Sequence, residues 1–172
     1  NRTMRRKTFD SKGLSYVSEL SLQNVKDLKT IVQWNNKMNI KLFRLSSQIF
    51  PWSDEYNIKD LKDYDEISKL MLEVGKIALD GGQRLTMHPG PYNCLASPTQ
   101  KVVEKTIREL NFHSKQFDMM GYPPSQYNKI NIHVGGFYGD KEATLIRFCQ
   151  NFELLGENTK KRLVIENDDS AN

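Results

Sequence analysis

Cysteine is scarce. Cys94 and Cys149 are the only two in 172 residues and neither belongs to a C-x-x-C, which excludes a disulfide scaffold. No apolar run approaches the roughly 18–20 uninterrupted residues that a bilayer requires, so no membrane span is expected. Low-complexity tracts and internal repeats are missing as well. So is the G-x-G-x-x-G that marks dinucleotide-binding sheets, which argues against a nucleotide cofactor. No charged-then-apolar secretion signal follows Asn1, and the formal sequon Asn1-Arg2-Thr3 stands without other support. An intracellular protein is expected, with cytoplasm and nucleus not distinguished.

What is present is an ordinary globular composition, 38% hydrophobic and 27% charged, enough for one core. The net charge of +4 suits a nucleic-acid binder without demonstrating one. Arg2, Arg5, Arg6 and Lys7 concentrate cations at one end, where they could meet phosphates.

Long amphipathic stretches alternate with short apolar runs. Val25, Leu28, Ile31 and Val32 mark one helical stripe, with Ser21 as its cap. Ile67, Leu70, Met71, Val74, Ile77 and Ala78 mark a second, stopped by Gly81-Gly82. Ser97-Pro98-Thr99-Gln100 offers an N-cap serine, proline at the first helical position and a capping-box glutamine. That third stripe runs Val103, Ile107, Leu110, Phe117, and a fourth carries Ala143, Ile146, Cys149 and Phe152 as far as Gly156. Between them lie runs of strand length at 40–46, 83–88, 129–134 and 162–167, apolar on both faces as strands covered on both sides must be.

Strict alternation of strand and helix predicts a parallel sheet, hence an α/β fold built from right-handed units. A polar or metal-capable residue ends successive strands, which is where a TIM (β/α)8-type barrel places its chemistry. Four βα units make about half of such a barrel. Residues 1–172 are therefore expected to form a single domain that is a partial barrel, lacking the first strand and the C-terminal strands.

Three histidines occur. His88 closes Arg84-Leu85-Thr86-Met87 and is followed by Pro89-Gly90-Pro91, so the chain turns where the imidazole emerges. His133 stands in Asn131-Ile132-His133-Val134-Gly135-Gly136, and Glu166 ends Leu163-Val164-Ile165. Singly, each has a structural explanation. Together, two imidazoles and a carboxylate on one rim of one sheet make a site for a hard-to-borderline divalent metal ion. Such a site keeps positions for water and lowers its pKa. His113 lies inside the third helix beside Phe112 and reads as a packing or capping residue. Asn1, Tyr92 and Asn93 are loop-edge groups able to touch a nucleic acid, Tyr92 by stacking or wedging.

Five segments in order carry a resemblance. They are Asn1-Arg2-Thr3-x-Arg5; Phe43-Arg44-Leu45-Ser46-Ser47 with Phe50-Pro51; Met87-His88-Pro89-Gly90; Asn131 to Gly136 with Tyr138-Gly139-Asp140-Lys141; and Glu166-Asn167-Asp168. In order and spacing the chain resembles the UV damage endonucleases, relatives of endonuclease IV among the xylose-isomerase-like TIM barrels. The resemblance implies a DNA repair enzyme making a metal-dependent nick 5′ to UV photoproducts in damaged double-stranded DNA. It implies several divalent ions, Mn2+ among them, with His88, His133 and Glu166 as ligands and Glu166 bridging two ions. Asn1, Arg2, Arg5, Pro91 and Tyr92 fall at its DNA- and lesion-binding positions. One departure matters: the family reads His-Pro-Gly-Gln-Tyr, and Pro91 stands here in place of the glutamine. Proline keeps only the apolar part of what that amide can do. A monomer is expected. The rival readings are a sugar isomerase or epimerase of the same superfamily, and an inactive fragment that binds DNA or metal.

Overall fold

The structure is a computed structural model and describes residues 1–166. Of the expected features, Asn167 and Asp168 lie outside the described residues. The elements alternate as α1 (Arg6–Lys37), β1 (Leu42–Leu45), α2 (Tyr64–Asp80), β2 (Arg84–Met87), α3 (Gln100–Met119), β3 (Ile130–His133), α4 (Lys141–Phe152), α5 (Glu157–Arg162) and β4 (Leu163–Glu166), with short 3₁₀ turns at Ile58–Asp60 and Gln126–Asn128. All three strand pairings are parallel, and the order across the sheet is β1-β2-β3-β4. Consecutive order has no reversal point, so right-handed crossovers place every helix on one side, as in a barrel rather than a doubly wound sheet.

The core lies between that sheet face and the helices. Val17, Val25 and Val32 of α1, Ile67, Met71 and Val74 of α2, and Leu110 and Phe117 of α3 are buried there with Leu85, Met87 and Ile130. The expectation of strands covered on both faces is met only on the helix side. Leu42 is 59% exposed, and Leu42, Arg44, Arg84, Thr86 and Asn131 line a hollow of about 250 Å³ on the other face. Arginine, lysine, threonine and asparagine side chains mix with apolar ones in that hollow, and His88 shares it.

The helices depart from expectation at their starts. Ser21 is not a cap: α1 begins fifteen residues earlier, at Arg6, and Ser21 is wholly buried within it. The helix is broken at Gly13, whose φ of 61° and ψ of −160° suit a residue without a Cβ. Likewise α3 begins at Gln100 after Thr99, and the Ser97 hydroxyl instead accepts the Thr99 N–H at 3.1 Å in a local turn. The Gln100 amide donates forward to Glu104 at 3.2 Å rather than closing a capping box. The fourth expected helix is α4, capped by the Asp140 side chain accepting the Ala143 N–H at 3.0 Å, and a further short helix, α5, follows Gly156 where none was expected.

Polar links lock these layers. Gln83, just ahead of β2, accepts from the Asn35 amide at 3.0 Å and donates to the Val32 carbonyl at 3.2 Å, tying the end of α1 to the sheet. Gly75 lets α2 approach the end of α3 closely, since a Cβ there would stand 2.0 Å from the Met120 carbonyl oxygen. No described helix is long and apolar enough to cross a membrane.

Candidate metal centre and nucleic-acid rim

Because all four strands run the same way, their C-terminal ends share one rim. β3 and β4 are in register with His133 opposite Glu166, and β2 ends at Met87 opposite Ile130. Pro89 cannot donate a ladder hydrogen bond, so β2 stops and His88 emerges beside the ends of the next two strands. The sheet thus brings together the three residues that the sequence places at separate strand ends. One ligand atom each from His88, His133 and Glu166 lies within 4.8 Å of the others. The two imidazole rings are 5.3 Å apart between centroids, and His88 Nε2 is 3.4 Å from Glu166 Oε2.

This donor set fits a divalent ion. His88 Nδ1 lies 2.9 Å from the Pro89 carbonyl oxygen, which can only accept, so Nδ1 carries the proton and Nε2 keeps its lone pair for a metal. An ion with bonds of about 2.0–2.6 Å reaches all three groups. Two imidazoles with one carboxylate suit manganese or zinc better than calcium. Half of the Glu166 side chain stays exposed, which leaves its second oxygen available.

Asn1 comes to the same rim, where it lines a groove of about 480 Å³ together with Ser46, Ser47 and His88. Asn24, a nearly buried amide on the inner face of α1, holds it there. Its Oδ1 accepts the Arg2 N–H at 2.7 Å and its Nδ2 donates to the Arg2 and Ile49 carbonyls at 2.8 and 3.0 Å. The sequence offered no signal for Asn24, because a mid-helix asparagine reads as solvent-facing.

The basic cluster is less free than composition suggested. The Arg2 guanidinium pairs with Asp27. Arg6 bonds Asp10 at 2.9 Å and Glu55 at 2.8 Å and lies over the Phe9 and Trp52 rings, so it packs the amino-terminal segment. Arg5 is exposed and, among the described residues, forms no ion pair.

Pro91 and Tyr92 occupy the middle of a tight turn in which the Asn93 N–H donates to the Gly90 carbonyl at 3.3 Å. Proline presets the backbone at the second position of such a turn, and the Tyr92 ring next to it is 88% exposed. A second rim aromatic is Tyr138, part of one of the segments that carry the resemblance but given no role there. Its φ of 50° is unusual for a bulky side chain, and its hydroxyl lies 3.5 Å from Cys94 Sγ. Cys94, Tyr138, His88 and His133 line one cleft of about 180 Å³. His113 is fully buried in α3 and is not among the His88, His133 and Glu166 cluster.

Comparison with known proteins points in one direction. A family model described as UV-endonuclease UvdE matches residues 1–172. A UV-damage endonuclease of Neurospora crassa is 40% identical over 162 residues, covering 93% of this chain and 24% of that protein. A putative UV-damage endonuclease of Acanthamoeba polyphaga mimivirus is 39% identical over 167 residues, covering 96% of this chain and 50% of that protein. The crystal structure of SacUVDE, 35% identical, matches 99% of this chain and 56% of its own with a TM-score of 0.86. The chain spans between about a quarter and a half of the length of these two curated relatives.

Proposed function

The chain belongs to the UV-endonuclease UvdE family, and on that premise we propose that the protein is a DNA repair endonuclease making a metal-dependent nick 5′ to pyrimidine dimers. The observation that supports this most directly is the convergence of His88, His133 and Glu166 at the strand ends. Bound there, divalent ions, Mn2+ by preference, supply Lewis acidity to the scissile phosphodiester and to the water that attacks it. In the balanced reaction the water oxygen bonds to phosphorus, the P–O3′ bond breaks, and the 3′ oxygen takes up a proton.

The protein's own groups prepare that step. The Pro89 carbonyl fixes the His88 tautomer, so no rearrangement is needed on metal binding. Glu166 Oε2 lies toward His88, and its carboxylate, with a second oxygen and half of the side chain exposed, would be suited to hold more than one ion. Asn1, which lines the groove at the rim, and the exposed Arg5 hold the backbone without reading sequence. Tyr92 stands clear of the surface and enters the duplex where damaged bases are displaced. Beside it Pro91 adds apolar contact but no hydrogen bond, so lesion handling rests on shape. The substrate is damaged duplex, engaged by a monomer inside the cell and without a nucleotide cofactor.

Incision of a duplex carrying one cyclobutane pyrimidine dimer tests the reading. With Mn2+ the complete protein is expected to cut 5′ to the dimer, with chelator not at all. Tyr92→Ala should lower the ratio of affinities for damaged and intact duplex by about tenfold or more, the scale of one base–aromatic stack. Equal cutting of intact duplex, or undiminished cutting in chelator, refutes it.

A further inference from the structure

We infer that Cys94 is a positioning residue for His133: with Tyr138 it forms a hydrogen-bonded link, phenol to thiol to carbonyl, that sets the end of β3 against the loop carrying Tyr92. The inference rests on the reading of His133 as a metal ligand. Cys94 Sγ lies 3.5 Å from the Val134 carbonyl oxygen and 3.5 Å from the Tyr138 hydroxyl. A carbonyl only accepts, so the single thiol proton goes to Val134 and the Tyr138 O–H donates to the sulfur. Val134 follows His133 directly, at the point where β3 ends. The fit there is close. A Cβ on Gly135 would stand 2.8 Å from the sulfur, so the chain leaving His133 lies flush against the thiol.

A side chain can position another only if it is itself held. The Cys94 N–H donates to the Thr106 hydroxyl of α3 at 3.0 Å. The next two carbonyls are taken up by α4: Asn151 Nδ2 donates to that of Leu95 at 2.7 Å, and Arg147 Nε to that of Ala96 at 3.1 Å. The Arg147 guanidinium also lies 5.8 Å from the centre of the Tyr138 ring, on the other side of the link. Residues 94–96 are thus tied to two helices, and the sulfur is a fixed point for the strand end. Each thiol hydrogen bond is weak, so what the link supplies is placement of the His133 backbone rather than bulk stability.

Iodoacetamide labelling of the complete, metal-free protein, read for each cysteine by peptide mass spectrometry, tests whether the link exists. Cys149 is exposed and serves as the reference, whereas Cys94 is half-buried. Cys94 should react about tenfold or more slowly than Cys149, and Tyr138→Phe, which removes only the hydroxyl, should raise the Cys94 rate several-fold. Mn2+ titration then tests the positioning. Cys94→Ala should weaken Mn2+ binding by about tenfold, the lower end of what groups supporting a ligand contribute. Cys94→Ser keeps a donor and an acceptor and should recover part of that loss, with the same metal-free melting midpoint as the alanine variant. Adding Tyr138→Phe to Cys94→Ala should weaken Mn2+ binding no further, because the phenol acts only through the sulfur. An unchanged Cys94 labelling rate in Tyr138→Phe overturns the link. Unchanged Mn2+ affinity in Cys94→Ala, or equal losses in alanine and serine variants, overturns its positioning role. Should His133→Ala itself leave Mn2+ binding intact, the ligand reading fails, while the labelling result still decides the link.

Discussion

His133→Ala is expected to lower the rate of dimer incision by about a thousandfold or more, because an ion held by three groups loses one of its two imidazoles and with it several kcal/mol of transition-state stabilisation. The remaining pair, His88 and Glu166 with Nε2 and Oε2 3.4 Å apart, cannot close the same shell. DNA binding should fall much less. A neutral imidazole carries no charge to the phosphates, and Asn1, Arg5 and Tyr92, which are proposed to meet the duplex, are left in place. The diagnostic result is therefore a split: incision lost, affinity for damaged duplex within a few-fold, and metal content of the purified protein reduced. His133→Ala cutting at the normal rate in metal-controlled buffer would remove His133 from the ligand set. Equal loss of binding and incision would instead mark the residue as structural.

The ends of the strands were legible because their signals are local. An apolar run, a histidine, then proline or glycine is visible within six residues, as in Met87-His88-Pro89 and His133-Val134-Gly135. Parallel pairing then does the rest, since strands running the same way bring such ends to one rim. What stayed hidden is polar and buried. Asn24 and Ser21 sit on the inner face of α1, and reading a polar Ser21 as a cap rather than as a buried helix residue places the start of α1 fifteen residues too late. The role of Asn24 depends on partners 22 and 25 residues away, the Arg2 backbone and the Ile49 carbonyl. The cation cluster misled for a related reason. Composition counts charges, but Arg2 and Arg6 are taken up by Asp27, Asp10 and Glu55 in the fold.

Another buried polar residue carries the largest expected stability effect. Arg162, the last residue of α5, is completely buried at the point where β4 begins. One guanidinium nitrogen donates to the Ser114 carbonyl at 3.0 Å, the Ser114 hydroxyl at 2.7 Å and Asp118 Oδ1 at 2.8 Å, and the other donates to the Tyr122 carbonyl at 2.7 Å. It thus binds the Ser114 carbonyl in the last turns of α3 and the Tyr122 carbonyl just beyond that helix, at the end of a helix that favours a cation, while lying over the Phe117 ring. Arg162→Ala removes one partner of a buried ion pair and should cost about 3–5 kcal/mol, read as a lower midpoint in urea or thermal melts of the complete protein. Arg162→Met separates packing from hydrogen bonding. It keeps an apolar stem against Phe117 but donates nothing, so it should lose nearly as much as alanine if the donors matter. A methionine variant within about 1 kcal/mol of the parent would mean that the arginine merely fills space. Because Arg162 precedes Leu163 directly, loosening it frees the start of the strand that ends in Glu166. Added divalent ion, which favours the state with Glu166 in place, should therefore recover part of the loss in Arg162→Met and none of it when His133→Ala is present as well.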